Sequence, residues 1–245
     1  GCARTAEKAA EAGRGVGASF LPLACELSDP ASVRACVSEV QRQQIQLDAV
    51  ICNAGIMALP QREVQRGQEL QFLTNHIGHF LLVTGLLPQL TEQGRVVVLS
   101  SSAHNGAPRA GIQFDDITLQ HNYSPWRAYG QSKLANLLFA RALARRFAGT
   151  ARTANAVHPG VIATNLMRHM NVVARAGLQV AEIVALKSIP QGAATQCYVA
   201  VHPATAAVSG EFFADCNVAR SSSAGRDRAL AERLWTFTEE IVAKL

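Results

Sequence analysis

Tyr129 and Lys133 stand four residues apart in an apolar-striped segment with helical periodicity, Arg127-Ala-Tyr-Gly-Gln-Ser-Lys-Leu-Ala-Asn136. Side chains at positions i and i+4 lie on one face of a helix. A phenol has an ordinary pKa of about 10, and a nearby ammonium favours the phenolate. The pair therefore predicts a tyrosine whose lowered pKa suits it to general acid or base catalysis. A helix that carries these two residues by chance shows the same spacing, so other residues must decide.

Three polar or glycine-containing runs each follow an apolar strand directly. They are Asn53-Ala54-Gly55, Ser100-Ser101-Ser102 and His158-Pro159-Gly160, after predicted strands at 47–52, 95–99 and 153–157. Strands alternate with helices along the chain, which predicts a parallel sheet covered by helices on both faces. Ligands bind such sheets beyond the carboxyl ends of the strands. The three runs and the tyrosine helix are therefore expected to meet at one edge of the sheet.

The other predicted elements complete this alternation. They are strands at 18–23 and 210–213, and helices at 30–42, 68–90, 127–147, 190–201 and 227–244.

Composition points to one enzyme-sized α/β domain over residues 1–245. Hydrophobic residues make up 49% of the 245 residues and charged residues 17%, enough for a sizeable core. The net charge is +5, but the arginines are scattered and are not interleaved with stacking aromatics, which argues against a nucleic-acid surface. No apolar run reaches the roughly 18 residues of a membrane span.

Cysteine and histidine spacing favours neither a disulfide framework nor a metal site. The six cysteines form no Cys-x-x-Cys pair and mostly lie in apolar runs, which predicts reduced, core-filling thiols and a reducing compartment: Cys2, Cys25, Cys36, Cys52, Cys197 and Cys216. His76 and His79 are three apart on a predicted helix, with no carboxylate or cysteine at usable spacing. Structural roles are expected for both.

Over its whole length the chain resembles the short-chain dehydrogenase/reductase family. The matching motifs are Cys52-Asn-Ala-Gly-Ile56, Leu73-Thr-Asn-His-Ile-Gly-His-Phe80, Val97-Val-Leu-Ser-Ser-Ser-Ala-His104, Tyr129-Gly-Gln-Ser-Lys133 and His158-Pro-Gly160. Within the family it is similar to the retinol-dehydrogenase-like branch, and most of all to plant and algal members associated with the protein translocon of the chloroplast inner envelope. That narrower resemblance rests on Phe114-Asp-Asp116, Tyr129 to Asn136, Thr164-Asn-Leu166, Gln191 to Ala200 and Ser209-Gly-Glu211.

The resemblance implies a Rossmann-type, doubly wound parallel sheet in three αβα layers, and a catalytic set. Tyr129 exchanges a proton with the substrate oxygen while a hydride moves to or from nicotinamide. Lys133 lowers the pKa of Tyr129 and holds the nicotinamide ribose. Ser101 hydrogen-bonds the substrate oxygen, with Ser102 as its replacement if the register differs by one residue. Asn75 anchors a water that links Lys133 to solvent.

Cofactor contacts are also implied residue by residue. Asn53, Ala54 and Gly55 let the adenosine ribose come close, and Pro159, Gly160 and Thr164 frame the nicotinamide carboxamide. Glu26 and Leu27 stand where the family usually has Asp-Leu beside the adenine, which favours a backbone contact there. Arg4 occupies a turn where an NAD enzyme carries a carboxylate, so NADP(H) is expected, although a solvated arginine explains Arg4 equally well.

The glycine-rich turn that binds the cofactor pyrophosphate does not occur near the amino end. In the family's strand order the first strand is central, so the fold is expected to lack that strand and its turn. We expect about thirty upstream residues to be missing, the size of a βαβ unit without its second strand. Weak cofactor binding or poor folding would follow.

The expected function is NADP(H)-dependent hydride transfer between nicotinamide and a carbonyl, or a primary or secondary alcohol. Residues 164–189 form the expected substrate cover, which is apolar and indicates a bulky apolar substrate. Core packing explains the same apolar residues: Leu166, Met167, Val172, Val173, Leu178 and Ile183.

The alternative implied by the resemblance is a redox-sensing regulatory subunit of a chloroplast protein-import translocon. Its location would be the chloroplast, peripheral to the inner envelope, with the cytoplasm as the other possibility. The closing helix carries an apolar stripe, which could bind a partner: Leu230, Leu234, Phe237, Ile241 and Leu245. Its mixed charges favour packing against the domain over calmodulin binding.

Overall fold

The computed structural model describes residues 1–17, 19–162 and 187–245. The predictions for Thr164 and for the cover at 164–186 lie outside these residues. The strands are β1 Cys2–Ala3, β2 Leu23–Ala24, β3 Leu47–Cys52, β4 Val64–Gln65, β5 Gln68–Glu69, β6 Leu90–Leu99, β7 Thr153–His158, β8 Phe212–Ala214 and β9 Asn217–Val218. The longer helices are α1 Ala6–Ala12, α2 Pro30–Arg42, α3 Gly78–Leu86, α4 Pro125–Arg146, α5 Ile189–Val201 and α6 Arg228–Val242.

The main sheet has five strands in the order β3-β6-β7-β8-β9. The first four run parallel, and β9 pairs antiparallel with β8 at the edge. Val96, Val97 and Val98 of β6 are at most 1% exposed, as expected for a strand covered on both faces. The doubly wound parallel fold predicted from the alternation of strands and helices is confirmed.

Helices cover both faces of this sheet. Val96 and Val98 face a large core that contains residues of α3, α4 and α6. Val97 and Leu99 face the opposite side, where they pack with Val199 and Ala200 of α5. Successive side chains of a strand point to opposite faces, so β6 is the middle layer of three.

The parallel pair β1–β2 is not hydrogen-bonded to the five-stranded sheet. A cavity of about 950 Å³ lies between them, with Cys2 and Leu23 on one wall and Val50 and Ile51 on the other. Ile51 is consequently 43% exposed although it belongs to an apolar strand. Among the described residues, no strand joins the β1–β2 pair to the five-stranded sheet.

The tyrosine helix α4 begins with Pro125 directly after Ser124 and ends with two arginines in its last turn. Proline at the start and cations at the end both suit a helix. Residues 128–140 of this helix are all buried, so α4 runs through the core. The predicted element therefore forms, with nearly the predicted bounds.

The closing helix α6 packs against the domain, as predicted, and its contact there is with α4. The Asp227 side chain accepts a hydrogen bond from Leu230 N, which caps the helix. Leu234 and Trp235 are buried in the large core. The Arg146 guanidinium lies 3.6 Å from the Trp235 ring centroid. The apolar stripe of α6 is thus used inside the domain.

The region predicted as one helix over 68–90 differs from that expectation. Gln68–Glu69 is strand β5, paired antiparallel with β4. The first helical turn begins only at Leu70. The Glu69 carboxylate caps it by accepting a hydrogen bond from Phe72 N at 2.8 Å. A π-helical turn over Leu73–Ile77 then precedes α3. The predicted strand at 18–23 was also placed too early, since the pairing residues are Leu23–Ala24.

All six cysteines are free thiols. Cys25, Cys36 and Cys52 are buried as predicted, but Cys2 and Cys197 are exposed, so core filling was wrong for those two. None of the described helices is long and apolar enough to cross a membrane.

Candidate active site

Tyr129 and Lys133 meet on α4 as the spacing predicts. The Lys133 ammonium lies 5.6 Å from the centroid of the Tyr129 ring. Both side chains are buried, with 5% and 4% exposure. Lys133 Nζ donates a hydrogen bond to the Leu99 carbonyl at 3.2 Å. Because Leu99 is the last residue of β6, this bond fixes the tyrosine helix to the carboxyl end of the central strand.

Ser101 is the serine that adjoins the phenol. Its hydrogen bond to Tyr129 acts to lower the pKa of the phenol. Ser100 is buried and its hydroxyl donates to the Lys133 carbonyl at 2.7 Å. Ser102 is exposed, and its backbone N–H donates to His158 Nδ1 at 3.3 Å. Of the three serines, only Ser101 influences the pKa of Tyr129, and its Oγ also accepts a hydrogen bond from Ala103 N at 3.2 Å.

The predicted net lowering of the Tyr129 pKa is wrong for this structure. Burial of the phenol dominates and raises its pKa to about 12, with Ser101 as the opposing influence. Burial also lowers the pKa of Lys133 to about 8, while the nearby Cys52 thiol acts to raise it. At neutral pH Tyr129 is thus protonated and can donate its proton. The pKa of Lys133 is close enough to neutral for the lysine to gain and lose a proton there.

Asn75 ties the loop after β3 to α4. It is fully buried in the π-helical turn. Its Oδ1 accepts from Ile56 N at 2.8 Å, and its Nδ2 donates to Ile56 O and Ser132 Oγ, each at 2.9 Å. Its backbone carbonyl accepts from His79 Nδ1 at 2.9 Å. The carboxamide of Asn75 therefore holds the loop after β3 against α4, and the predicted water contact of Asn75 stays a prediction.

Gly55 sits where this loop comes closest to the catalytic set. A Cβ atom added to Gly55 would lie 2.9 Å from Asn75 Oδ1 and 3.6 Å from Lys133 Nζ. The backbone can approach the lysine this closely because glycine has no side chain. Asn53, Ala54 and Gly55 also line the 950 Å³ cavity.

The same cavity brings together the predicted contacts from the amino end of the chain. Arg4, Glu26 and Leu27 all line it. The Glu26 carboxylate accepts from Ser28 N at 3.1 Å and Ser28 Oγ at 2.9 Å, so it is engaged within its own turn. Lys8, which sequence reasoning missed, lines the cavity with Arg4 and follows it by four residues. The four-residue spacing of Arg4 and Lys8 is the sequence pattern that could have identified Lys8.

Pro159 and Gly160 follow β7 on the side of the serine run. Gly160 has φ +86°, a left-handed conformation that favours glycine. Because His158 accepts from the backbone of Ser102, the two loops lie next to each other. They are not among the residues that line the described cavity.

Trp126 is a second residue that sequence reasoning missed. Its ring meets the Tyr129 ring edge-on, with centroids 6.1 Å apart, and the residue is 49% exposed. An aromatic residue three positions before the tyrosine, on the same helix face, was the available signal. Trp126 gives the phenol an apolar neighbour that solvent can reach.

A family model described as enoyl-(acyl carrier protein) reductase matches residues 2–214. The short-chain dehydrogenase TIC 32 A, chloroplastic, of Brassica napus is 44% identical over 232 residues, which cover 91% of this chain and 72% of that protein. Retinol dehydrogenase 14 of Homo sapiens is 37% identical over 224 residues, covering 90% of this chain and 66% of that protein.

Solved structures show the same fold. The crystal structure of an uncharacterised protein from Mycobacterium paratuberculosis matches with a TM-score of 0.72 and 33% identity, over 99% of this chain and 82% of the other. The angucycline C-6 ketoreductase LanV with bound NADP matches with a TM-score of 0.67 and 22% identity, over 87% and 82%. At that lower identity the match concerns the fold alone.

Proposed function

Because the chain belongs to the short-chain dehydrogenase/reductase family, we propose that it is an NADP(H)-dependent oxidoreductase acting on a carbonyl or on the matching primary or secondary alcohol. The observation that carries this proposal is the meeting of Ser101, Tyr129 and Lys133 at the carboxyl end of β6. The end of β6 supplies Ser101, α4 supplies Tyr129 and Lys133, and the π-helical turn holds α4 through Asn75. A polypeptide kept only as a scaffold has no need of this arrangement.

When bound, a nicotinamide supplies or takes up the hydride. Tyr129 keeps its proton at neutral pH because burial raises its pKa to about 12. In carbonyl reduction it donates this proton to the substrate oxygen. Ser101 donates a second hydrogen bond to the same oxygen as negative charge develops there. In its protonated form Lys133 favours the phenolate that the transfer leaves behind.

The residues present fit a dinucleotide. Gly55 brings its backbone close to Lys133, and Gly55 and the exposed Arg4 both line the cavity. We assign the adenosine ribose to Asn53, Ala54 and Gly55, the adenine to the Glu26–Leu27 backbone, and the 2′-phosphate to Arg4. The remaining assignments are the nicotinamide ribose to Tyr129 and Lys133, and the carboxamide to Pro159, Gly160 and Thr164.

The substrate we propose is bulky and apolar. Trp126 offers an aromatic wall beside the phenol, half-exposed and edge-on to Tyr129. The segment 164–189 is rich in apolar residues and follows Gly160, so it serves as the cover of a single domain over 1–245. Large apolar ligands are bound by such apolar walls with a few convergent polar groups.

A second candidate function is a regulatory subunit of the chloroplast import translocon, peripheral to the inner envelope, that uses NADPH occupancy as a redox signal. It is supported by the resemblance to translocon-associated members of the family, and the chloroplast location also by the similarity to TIC 32 A, chloroplastic. Most of the stripe of α6 packs against the large core, with Leu234 buried in it, so a translocon contact would use another surface.

Turnover separates the two candidates. NADPH oxidation would be measured with a panel of bulky aldehydes and quinones for the parent, Tyr129→Phe and Tyr198→Phe. We expect Tyr129→Phe to lose about 10²-fold or more in turnover, because the proton donor is gone. Tyr198 packs against His202 and Phe213, away from the phenol, so Tyr198→Phe should match the parent. Equal rates in all three would reject Tyr129 as the acid, and no turnover in any would favour the regulatory subunit.

A further inference from the structure

His104 is a buried histidine that the proposed mechanism does not use. It lies in the 3₁₀ turn Ser102–Gly106, directly after the strand-ending serines, and is 2% exposed. Its Nδ1 lies 2.5 Å from the Ser101 carbonyl oxygen, and its Nε2 accepts a hydrogen bond from Ser222 N at 3.1 Å. The Phe212 ring of β8 meets the imidazole edge-on, with centroids 5.1 Å apart. The imidazole therefore joins the end of β6 to a segment 118 positions away.

The partners of the ring decide its tautomer. The Ser101 carbonyl can only accept, so Nδ1 carries the proton and donates it to that oxygen. The Ser222 backbone N–H can only donate, so Nε2 is unprotonated. Burial lowers the pKa of His104, the bond to Ser101 acts against this, and the charge of Arg141 adds to the lowering. His104 is thus a neutral side chain whose single N–H points at the backbone of Ser101.

This hydrogen bond is additional to those of the turn itself. The Ser101 carbonyl also accepts from the backbone N–H of His104 at 3.1 Å, which is the ordinary bond of a 3₁₀ turn. Two donors of one residue therefore hold the same oxygen. Together they fix the orientation of the peptide group that follows Ser101, and with it the direction in which the serine side chain leaves the backbone.

The direction of the Ser101 side chain decides what its hydroxyl can do. Ser101 Oγ accepts a hydrogen bond from Ala103 N at 3.2 Å. A hydroxyl has one proton and two lone pairs, so a backbone N–H that uses one lone pair leaves the proton free for another acceptor. In the proposed mechanism that acceptor is the substrate oxygen. Ser101 can serve as the donor there only while its backbone keeps this orientation.

The tyrosine helix α4 contacts both sides of this arrangement. A Cβ atom added to Gly130, directly after the tyrosine, would lie 2.8 Å from the Ala103 carbonyl oxygen, so the serine turn packs on the helix backbone. Further along α4, the Arg141 guanidinium donates to the Gly225 carbonyl in the short helix Ser223–Arg226. The same helix thus holds the turn and the segment that binds the imidazole.

We propose that His104 is a positioning residue for Ser101, because its Nδ1–H fixes the Ser101 carbonyl and thereby directs the serine hydroxyl at the substrate oxygen. This inference rests on the proposed function, in which Ser101 stabilises the negative charge that develops on that oxygen. Catalysis is sensitive to such placement, since an error of about 1 Å in a reacting geometry can cost about 10²-fold in rate.

Two substitutions separate the two bonds of the ring. His104→Asn keeps a donor near the Nδ1 position, which faces Ser101, whereas His104→Gln places its amide near the Nε2 position, which faces Ser222. We expect kcat to fall by about 10-fold or more in His104→Gln and to stay within about 3-fold of the parent in His104→Asn. KM should change little in both, because the serine bond strengthens only in the transition state. Equal kcat values in the two variants overturn the proposal.

A double-mutant cycle distinguishes positioning from a merely structural role. In a Ser101→Ala background, His104→Gln should change kcat by less than about 2-fold, because no hydroxyl remains to be positioned. A merely structural His104 would lower kcat by the same factor in both backgrounds, and that result overturns the proposal. His202→Gln is the control: His202 Nδ1 accepts from Ala204 N at 3.1 Å and caps another 3₁₀ helix, so its loss should lower stability and leave kcat unchanged.

The tautomer can be tested in the parent chain by ¹⁵N NMR of labelled histidine. The chain has seven histidines, and through-bond correlation to the His104 backbone assigns its ring, so the result does not depend on a variant that folds. We expect the proton on Nδ1. A ring with its proton on Nε2 could not donate to Ser101 and overturns the proposal.

The proposed function and this inference fail in different ways. Hydrogen–deuterium exchange at Ala103, whose N–H is bonded to Ser101 Oγ, reports the placement of the hydroxyl without turnover. In a chain without turnover, faster exchange at Ala103 in His104→Gln than in His104→Asn would support the positioning and count against the enzyme. Turnover that depends on Tyr129, with equal exchange in both variants, would reject the positioning alone.

Discussion

Three consecutive serines at the end of β6 have three different surroundings. Ser100 bonds to the backbone of the tyrosine helix, Ser101 adjoins the phenol, and Ser102 is exposed beside His158. The position of each serine relative to the end of β6 thus decides what its side chain can do. The contrast gives a direct test at the level of single residues.

Ser101→Ala should lower kcat by about 10²- to 10³-fold, because it removes a donor aimed at the developing oxyanion. Ser102→Ala should change kcat little, since its hydroxyl is exposed and only its backbone is bonded. Steady-state kinetics with one aldehyde would measure both. Similar losses in the two variants would show that the register of the serine run is assigned wrongly.

Lys133 makes stability depend on pH. Its folded-state pKa is lowered from 10.5 to about 8, so between these values the unfolded chain binds more protons than the native one. The free energy of unfolding should therefore rise with pH through this window, by roughly 3 kcal/mol in all. Below pH 8 that contribution is lost.

Urea unfolding at several pH values would measure this contribution as the difference between the parent and Lys133→Met, which removes the titrating group. Other groups titrate in both proteins and cancel in the difference. Parallel stability curves for the two proteins would contradict a lowered pKa for Lys133.

At the scale of elements, the start of α3 is set by a close backbone approach. A Cβ atom added to Gly78 would lie 2.3 Å from the Leu27 carbonyl oxygen. This approach packs α3 against the turn that follows β2, where Leu27 is buried with Val33 and Leu81. The turn that carries Glu26 and Leu27 is thereby held in place on the cavity.

Gly78→Ala should cost about 1 to 3 kcal/mol or more of stability, because the contact is with backbone that has little freedom to move. Gly106→Ala is the matched control, since a Cβ atom there meets nothing within 4 Å; it should stay within about 0.5 kcal/mol. Thermal unfolding of both variants would decide. Equal melting temperatures would mean that the helix shifts freely.

Elements defined by local pattern were predictable from the sequence. Leu47–Cys52 is apolar except for Asp48, and Pro125 and Asp227 mark the starts of α4 and α6. The π-helical turn at Leu73–Ile77 and the hairpin of β4 and β5 were not predictable, because they depend on side chains such as Asn75 and Glu69 bonding to distant or adjacent backbone.

The candidate site shows the same division. The spacing of Tyr129 and Lys133 is local and placed them correctly relative to each other. The direction of the Tyr129 pKa shift depends on burial, which is a property of the packed core, and it was predicted wrongly. The contact between His76 and Thr238 joins residues 162 positions apart, so no sequence pattern revealed it.

At the scale of the whole molecule, Arg4 and Lys8 put cations on the wall of the cavity. We expect Arg4→Ser to reduce the preference for NADPH over NADH by about 10-fold or more, because a charge-assisted contact to the 2′-phosphate is lost. Fluorescence titration with the two cofactors would give the ratio of Kd values. Lys8→Ser is the matched control for loss of one charge, and its effect should be smaller. An unchanged ratio in Arg4→Ser would mean that this arginine is merely solvated.

The division between the β1–β2 pair and the five-stranded sheet implies two grades of protection against hydrogen–deuterium exchange. The amides of the short pair, held by a ladder that ends at Ala3 and Ala24, should exchange through local opening. The amides of Val96 to Val98 belong to a strand that is paired with β3 on one side and β7 on the other, so they should exchange only on global unfolding. A ligand that spans the cavity would slow the exchange of the amides in the β1–β2 pair. The exchange rate at Cys2 and Ala3 would therefore report whether the cavity is occupied, without any substrate.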